Sequence, residues 1–257
     1  EVNNGSQGNC FSTLSISQTA FDCSDVGANS VNLTISDGTN SDVVAVTVTV
    51  EDNTAPNVNP ASSLSINLGA DGTATISPTD VATLTGDPAD ACTPNGSVTF
   101  EIKRENGSFG SSVAVDCTDL GVASFNVVVT AIDGAGNAYV SNNIPITVND
   151  ATAPVISSVS SGLTEVLSSA GTATIDATTY ITASDNCTAL GSLTYEISET
   201  SGSGFATTVA VDCNDVGSQT FYFRVTDATG NVSGESSESI TIADNTAPSV
   251  TAADRVL

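Results

Sequence analysis

Stretches in which apolar and polar residues alternate recur along this chain. Val31-Asn32-Leu33-Thr34-Ile35 is one, and Phe125–Val129 and Phe221–Val225 are two more. A period of two puts every second side chain on one face, which predicts half-buried β-strands. Each run enters a turn: Asp37-Gly38-Thr39-Asn40, Asp133-Gly134-Ala135-Gly136-Asn137 and Asp227-Ala228-Thr229-Gly230-Asn231. Gly and Asn tolerate the positive φ that hairpin turns require. A second run follows each turn, at Val44–Val50, Ile144–Val148 and Ser239–Ile242. Upstream, Leu64–Leu68 matches Leu163–Leu167, and Gly72–Ile76 matches Gly171–Ile175, as two further strands. Pro145 inside one run predicts an edge strand, because proline has no N–H to offer a ladder.

The runs belong to a repeat. Asp-Cys-x-Asp-x-Gly stands at Asp22–Gly27, Asp116–Gly121 and Asp212–Gly217, always ahead of the first run. Asp-x-Thr-Ala-Pro closes each unit, at Asp52–Pro56, Asp150–Pro154 and Asp244–Pro248. The period is roughly 95 residues, the length of an immunoglobulin-like domain. The predicted fold is all-β: tandem immunoglobulin-like β-sandwich repeats, the first one incomplete. The expected boundaries are 1–52 for the incomplete repeat, 53–150 and 151–244 for two complete ones, and 245–257 for a C-terminal tail.

The stretch from Cys10 through Phe21–Gly27 to Asp52–Pro56 resembles the hyalin-repeat-like and immunoglobulin-like repeats of large bacterial surface proteins, of the kind found in Bacteroidota adhesins. The resemblance covers nearly the whole chain and speaks to architecture more than to activity. It implies extracellular display, often with calcium at domain junctions. The junction motif is also similar to cadherin linkers, where calcium fixes the joint.

Charge narrows the function. Twenty-nine acidic residues against four basic ones, Lys103, Arg104, Arg224 and Arg255, give a net charge of -25. Such a surface repels phosphate backbones and anionic lipid, so neither nucleic acid nor a membrane is an expected partner. No apolar run reaches the length of a membrane helix. The chain has no His, so the usual general base is missing and no Ser-His-Asp set can form. No enzyme is expected. With so many acids, close carboxylate pairs arise by chance and say nothing of glycoside hydrolysis.

Six cysteines fall two to a repeat: Cys10 and Cys23, Cys92 and Cys117, Cys187 and Cys213. The expectation is that each repeat closes its own pair in an oxidising compartment, outside the cell or on its surface. Zinc ligation and free buried thiols are the rival readings, although no Cys-x-x-Cys occurs.

Divalent cations are the obvious means of tolerating the acids, and calcium takes six to eight hard oxygens. The candidate ligands are Asp52 and Asn53, Asp150 and Asp244 at the junctions; Asp22, Asp25, Asp116, Asp119, Asp212 and Asp215 in the Asp-Cys loops; Asp133 and Asp227 in the turns; and Asp185 beside Cys187. The local alternative is that these side chains simply bond nearby backbone in turns.

Counting gives the expectation about assembly. Pro56 precedes Cys117 by 61 residues and Pro154 precedes Cys213 by 59, whereas 22 residues precede Cys23. The first repeat therefore lacks the stretch that holds two strands elsewhere. A sandwich so depleted exposes an apolar interior and unpaired edges, which invites an added strand. The tail, with Val250, Val256 and Leu257, is the candidate donor to the first repeat of another copy. The reading is a structural subunit of a head-to-tail extracellular filament. The alternative is a stalk or polysaccharide-binding segment of a large adhesin, with extracellular glycans as partners. Sugar sites favour exposed aromatics, and this chain has no Trp, four Tyr and eight Phe. Tyr222 and Phe223 are adjacent in a strand, so at least one belongs to the core.

Overall fold

A computed structural model describes residues 13–121 and 125–250. The first repeat is one antiparallel sheet of β1 (Thr13–Ile16), β2 (Gly27–Ser36) and β3 (Ser41–Val50), in that order. Asp37 builds its turn by accepting from the amides of Thr39 and Asn40 at 2.8 and 2.6 Å. The alternation works as its period dictates: Val31 and Leu33 are buried and Asn32 between them is exposed.

The second repeat runs through β4 (Val58–Pro60), β5 (Leu64–Asn67), β6 (Thr73–Ile76), the one-turn helix α1 (Pro78–Val81), β7 (Ala82–Leu84), β8 (Thr99–Arg104), β9 (Val113–Asp116), β10 (Phe125–Ile132), β11 (Ala138–Val140) and β12 (Ile144–Asn149). One sheet has the order β11-β10-β12-β5, with β8 also on β10; β4 pairs with β7 and β6 with β9. Ile76, Ile102, Val127, Val129 and Ile146 are sealed inside. Pro145 corrects the edge expectation, since β12 lies between β10 and β5. Pro145 is the second residue of β12, opposite Asn126. The β5 side is bonded near the other end, where Asn149 O accepts from Leu68 N at 2.9 Å. A missing N–H is tolerated near a strand's start.

The third repeat repeats the plan with β13 (Val155–Val159), β14 (Thr164–Val166), β15 (Thr172–Asp176), α2 (Ala177–Tyr180), β16 (Ile181–Ser184), β17 (Thr194–Ser198), β18 (Thr208–Asp212), β19 (Gly217–Thr226) and β20 (Ser236–Ala243). One sheet is β14-β20-β19-β17, in which β14 runs parallel to β20; β13 pairs with β16 and β15 with β18. Phe221, Phe223 and Val225 of β19 meet Ile240 and Ile242 of β20 and Ile175 of β15 in one core. Tyr222 between the two Phe is half-buried, as alternation requires.

Among the described residues the chain forms two compact units. One holds residues up to 64 with 75–114 and 125–147; the other holds 65–74, 115–121 and 148–250.

Candidate metal centres and the bridges beside them

Two triads of aspartate stand out, one in each compact unit: Asp52, Asp90 and Asp133, and Asp150, Asp185 and Asp227. Each combines the same three places in the repeat. The first member opens the Asp-x-Thr-Ala-Pro linker, the second lies two residues before a cysteine, and the third heads the turn after β10 or β19. In each triad, carboxylate oxygens from all three residues lie within 4.8 Å of one another. Two oxygens sharing one calcium at about 2.4 Å each stand at most about 4.8 Å apart, so the spacing fits.

Local sequence aims them. Asp90 Oδ1 accepts from the amides of Cys92 and Thr93 at 2.9 and 2.8 Å. Asp185 Oδ2 does the same with Cys187 and Thr188 at 3.0 and 2.7 Å. Asp133 and Asp227 each accept two turn amides and the side-chain amide of Asn137 or Asn231. Those same asparagines donate to the carbonyls of Asp52 and Asp150, at 2.9 and 3.2 Å, tying the linker to the turn. Asp52 and Asp150 spend one oxygen on the amides of Thr54 and Thr152.

What these bonds leave over points to a ligand. Asp90 and Asp150 are 3% and 7% exposed, and Oδ2 of each is buried with no partner. Asp52 Oδ2 and Asp185 Oδ1 are stranded in the same way. A buried carboxylate oxygen without a donor is costly, and three carboxylates in one spot repel. Burial pushes the Asp133 and Asp227 carboxyls up, but the bonds from Asn137 and Asn231 and from the turn amides hold both below the ordinary value. The residues therefore fit a divalent cation. A cavity of about 130 Å³ lies beside Asp52, lined also by Cys23, Cys92, Thr93 and Gly134 among others.

The remaining candidates are not brought into either triad. Asp22, Asp116 and Asp212 each cap a single 3-10 turn, accepting from the amide two residues on at 2.8, 2.8 and 2.7 Å. Asp25, Asp119 and Asp215 answer by accepting from the cap's own amide at 2.8, 3.1 and 2.8 Å. This reciprocal box accounts for the Asp-Cys-x-Asp spacing without any ion. The Ser24 hydroxyl and amide keep Asp22 below its ordinary value. Asn53 is exposed, and Asp244 accepts from the Thr246 amide at 2.9 Å. Asp90 is the triad member that sequence reasoning missed. Its signal was available: Asp90-Ala91-Cys92 aligns with Asp185-Asn186-Cys187.

The cysteine pairing corrects the expectation of one closed pair per repeat. Cys23 is bonded to Cys92 and Cys117 to Cys187, so each bridge leaves one repeat and ends in the next. Cys213 is free and exposed, and Cys10 lies outside the described residues. The bridged Cα atoms stand 4.9 and 5.3 Å apart, within the reach of a disulfide.

Of the candidate assembly residues, Val250 is exposed; Val256 and Leu257 lie outside the described residues. Three basic side chains cover aromatic faces: Lys103 over Phe109, Arg104 over Phe125 and Arg224 over Phe205, at 4.7, 4.1 and 4.3 Å. Those faces are not open for stacking on a sugar.

No family model matches the chain, and no curated protein matches it. Solved structures do. The fibronectin(III)-like modules of Clostridium thermocellum CbhA are 15% identical over 77% of this chain and 100% of theirs, with a TM-score of 0.28. Domains EC1-3 of mouse clustered protocadherin PcdhgC3 are 14% identical over 84% of this chain and 77% of theirs, at 0.33. Extracellular domains 3-5 of Drosophila OTK are 11% identical over 87% and 73%, at 0.38. These likenesses are loose and carry no functional argument.

Proposed function

We propose that this chain is a structural segment of an extracellular fibre, in which immunoglobulin-like repeats follow one another and the junctions at Asp52 and Asp150 each bind a calcium ion. The observation that carries this reading is the pair of like-built triads with stranded, buried carboxylate oxygens. A bound cation supplies positive charge and a shared ligand. Asp52 or Asp150 holds it from the linker, and Asp90 with Asp133, or Asp185 with Asp227, holds it from the sandwich that follows. The linker is thereby fixed against one end of that sandwich. The inter-repeat bridges fit an oxidising compartment.

Assembly is head to tail between copies, with the tail from residue 245 completing the first repeat. Among the described residues that repeat has one sheet and no second sheet facing it, which supports this reading. Calorimetric titration with calcium after chelation tests the cation sites: two binding events are expected, and the absence of heat together with an unchanged Tm would sink them. Electron microscopy of the intact protein, at rising concentration, tests the fibre.

A further inference from the structure

The pole of the third repeat around Cys213 is built like a pole that is already filled. In the second repeat, Gly72 lies under Cys117, with φ +73 and room for no side chain: a Cβ there would meet Cys117 Sγ at 2.7 Å and Asn186 O at 2.9 Å. The turn beneath is closed by Gly72 N donating to Gly69 O at 2.9 Å and Gly69 N to Thr73 O at 2.9 Å. Onto this cradle comes the loop of the next repeat. Cys187 bonds to Cys117, Asn186 O lies 3.4 Å from Cys117 Sγ, and Asn186 Nδ2 donates to Gly69 O at 3.0 Å.

The third repeat reproduces each part of the acceptor. Gly171 has the same φ of +73, and a Cβ on it would meet Cys213 Sγ at 2.8 Å. Gly171 N donates to Ser168 O at 2.8 Å, and Ser168 N to Thr172 O at 3.0 Å. The Asp212 and Asp215 box holds the Cys213 turn as Asp116 and Asp119 hold that of Cys117. Cys23, the third member of the set, is also bridged, with Ala91 O 3.3 Å from its Sγ. Two of three equivalent cysteines thus carry a partner on the same kind of loop, and the third has the cradle without the partner.

We propose that the Gly171–Cys213 pole is the acceptor of an intermolecular bridge, and that its occupant is Cys10 of a second copy of this chain. Asn9-Cys10 is the same dipeptide as Asn186-Cys187. It precedes β1, whose Thr13 pairs with the residue before the Asp37 turn, as Thr194 of β17 pairs with the residue before the Asp227 turn. Cys10 lies three residues ahead of Thr13, where Cys92 and Cys187 lie seven ahead of Thr99 and Thr194, so in the sequence it stands on the same side of that strand over a shorter connection. The chemistry is exchange with a small disulfide such as oxidised glutathione. The Cys213 thiolate attacks it and releases one glutathione thiol; the Cys10 thiolate then attacks the mixed disulfide and releases the second. Two protein thiols are oxidised and one glutathione disulfide is reduced.

The inference rests on the head-to-tail reading, and the test separates the two. Full-length Cys10→Ser and Cys213→Ser chains, one of them isotopically labelled, are mixed in a glutathione redox buffer and read by non-reducing mass spectrometry. The expected product is a mixed dimer joined Cys10 to Cys213, at least tenfold in excess over either symmetric dimer, while the unmodified chain gives a ladder of multimers. Gly171→Ala should lower the mixed-dimer yield severalfold yet leave Cys213 fully labelled by a small maleimide. Random statistics among the three dimers, a Cys10–Cys213 link inside one copy of the unmodified chain, or thiols that remain glutathione adducts would each overturn the proposal. If copies still associate with all thiols capped, by light scattering, the head-to-tail reading survives that failure; if they do not, both fall.

Discussion

The poles at Cys117 and Cys213 share a glycine cradle, a capped 3-10 turn and a cysteine set against the glycine, yet one cysteine is in a covalent bond and the other is a free, exposed thiol. The contrast teaches that the acceptor is shaped by its own repeat and not by the loop that lands on it. A bare pole keeps the form of a filled one.

The sharpest way to break that comparison is to cut the filled side. Replacing Cys117 and Cys187 together with Ser removes a cross-link over 70 residues and should cost about 4 kcal/mol of stability. Cys213→Ser should change stability by less than about 0.5 kcal/mol. Denaturant unfolding of both variants reads the difference, and equal losses would mean that the poles are not what distinguishes them.

Calcium gives the next largest effect. At a hundredfold excess over its Kd, a bound ion adds about 2.7 kcal/mol. Chelation should therefore lower the Tm, Asp150→Asn should remove one binding event in calorimetry, and Asp244→Asn should remove none, since Asp244 belongs to neither triad. Smaller again is the glycine pair. Gly72→Ala must push against a sulfur fixed by its bridge and against the Asn186 carbonyl, whereas Gly171→Ala meets a free thiol that can turn away. Both suffer the positive φ, so losses of about 2 and about 1 kcal/mol are expected in thermal melts, in that order.

The finest distinction is one of pH. Tyr180 ends α2 where Val81 ends α1, and both are buried. Burial first, then the bond it donates to Glu165 at 2.9 Å and the charge of that carboxylate, push the Tyr180 hydroxyl up to about 12. Its folded value lies above the unfolded one, so its contribution is full below about pH 10 and fades as pH rises toward 12. Rapid denaturation at stepped pH should show that slope, and Tyr180→Phe should flatten it.

Much of this was legible in the residues. Alternation placed the strands because each sheet buries one face, and the repeat placed the linker and turn aspartates because both motifs recur with fixed spacing. Two things were not. Asp90 was hidden because the two repeats share only Asp-x-Cys here, with Ala91 in the middle place of one and Asn186 in that of the other. The bridges were not legible because two cysteines fall in each repeat, which suggests a closed pair, while each bridge joins the Asp-Cys loop of one repeat to a cysteine of the next. Pro145 misled for a related reason: a residue type signals an edge, but here the strand's two neighbours are bonded along different parts of it.

The bridges also decide what happens when the chain is pulled by its ends. Load would pass from Cys23 straight to Cys92, and from Cys117 straight to Cys187, so everything enclosed by those sulfurs is shielded from it. Between the first sulfur and the last, the slack is the stretch from Cys92 to Cys117, about 25 residues or some 85 Å at full extension, against about 560 Å for the same span unlinked. Between those sulfurs, unravelling under force would halt after that single stretch, the one carrying β8 and β9, while β17 to β20, beyond Cys187, have no bridge to hold them.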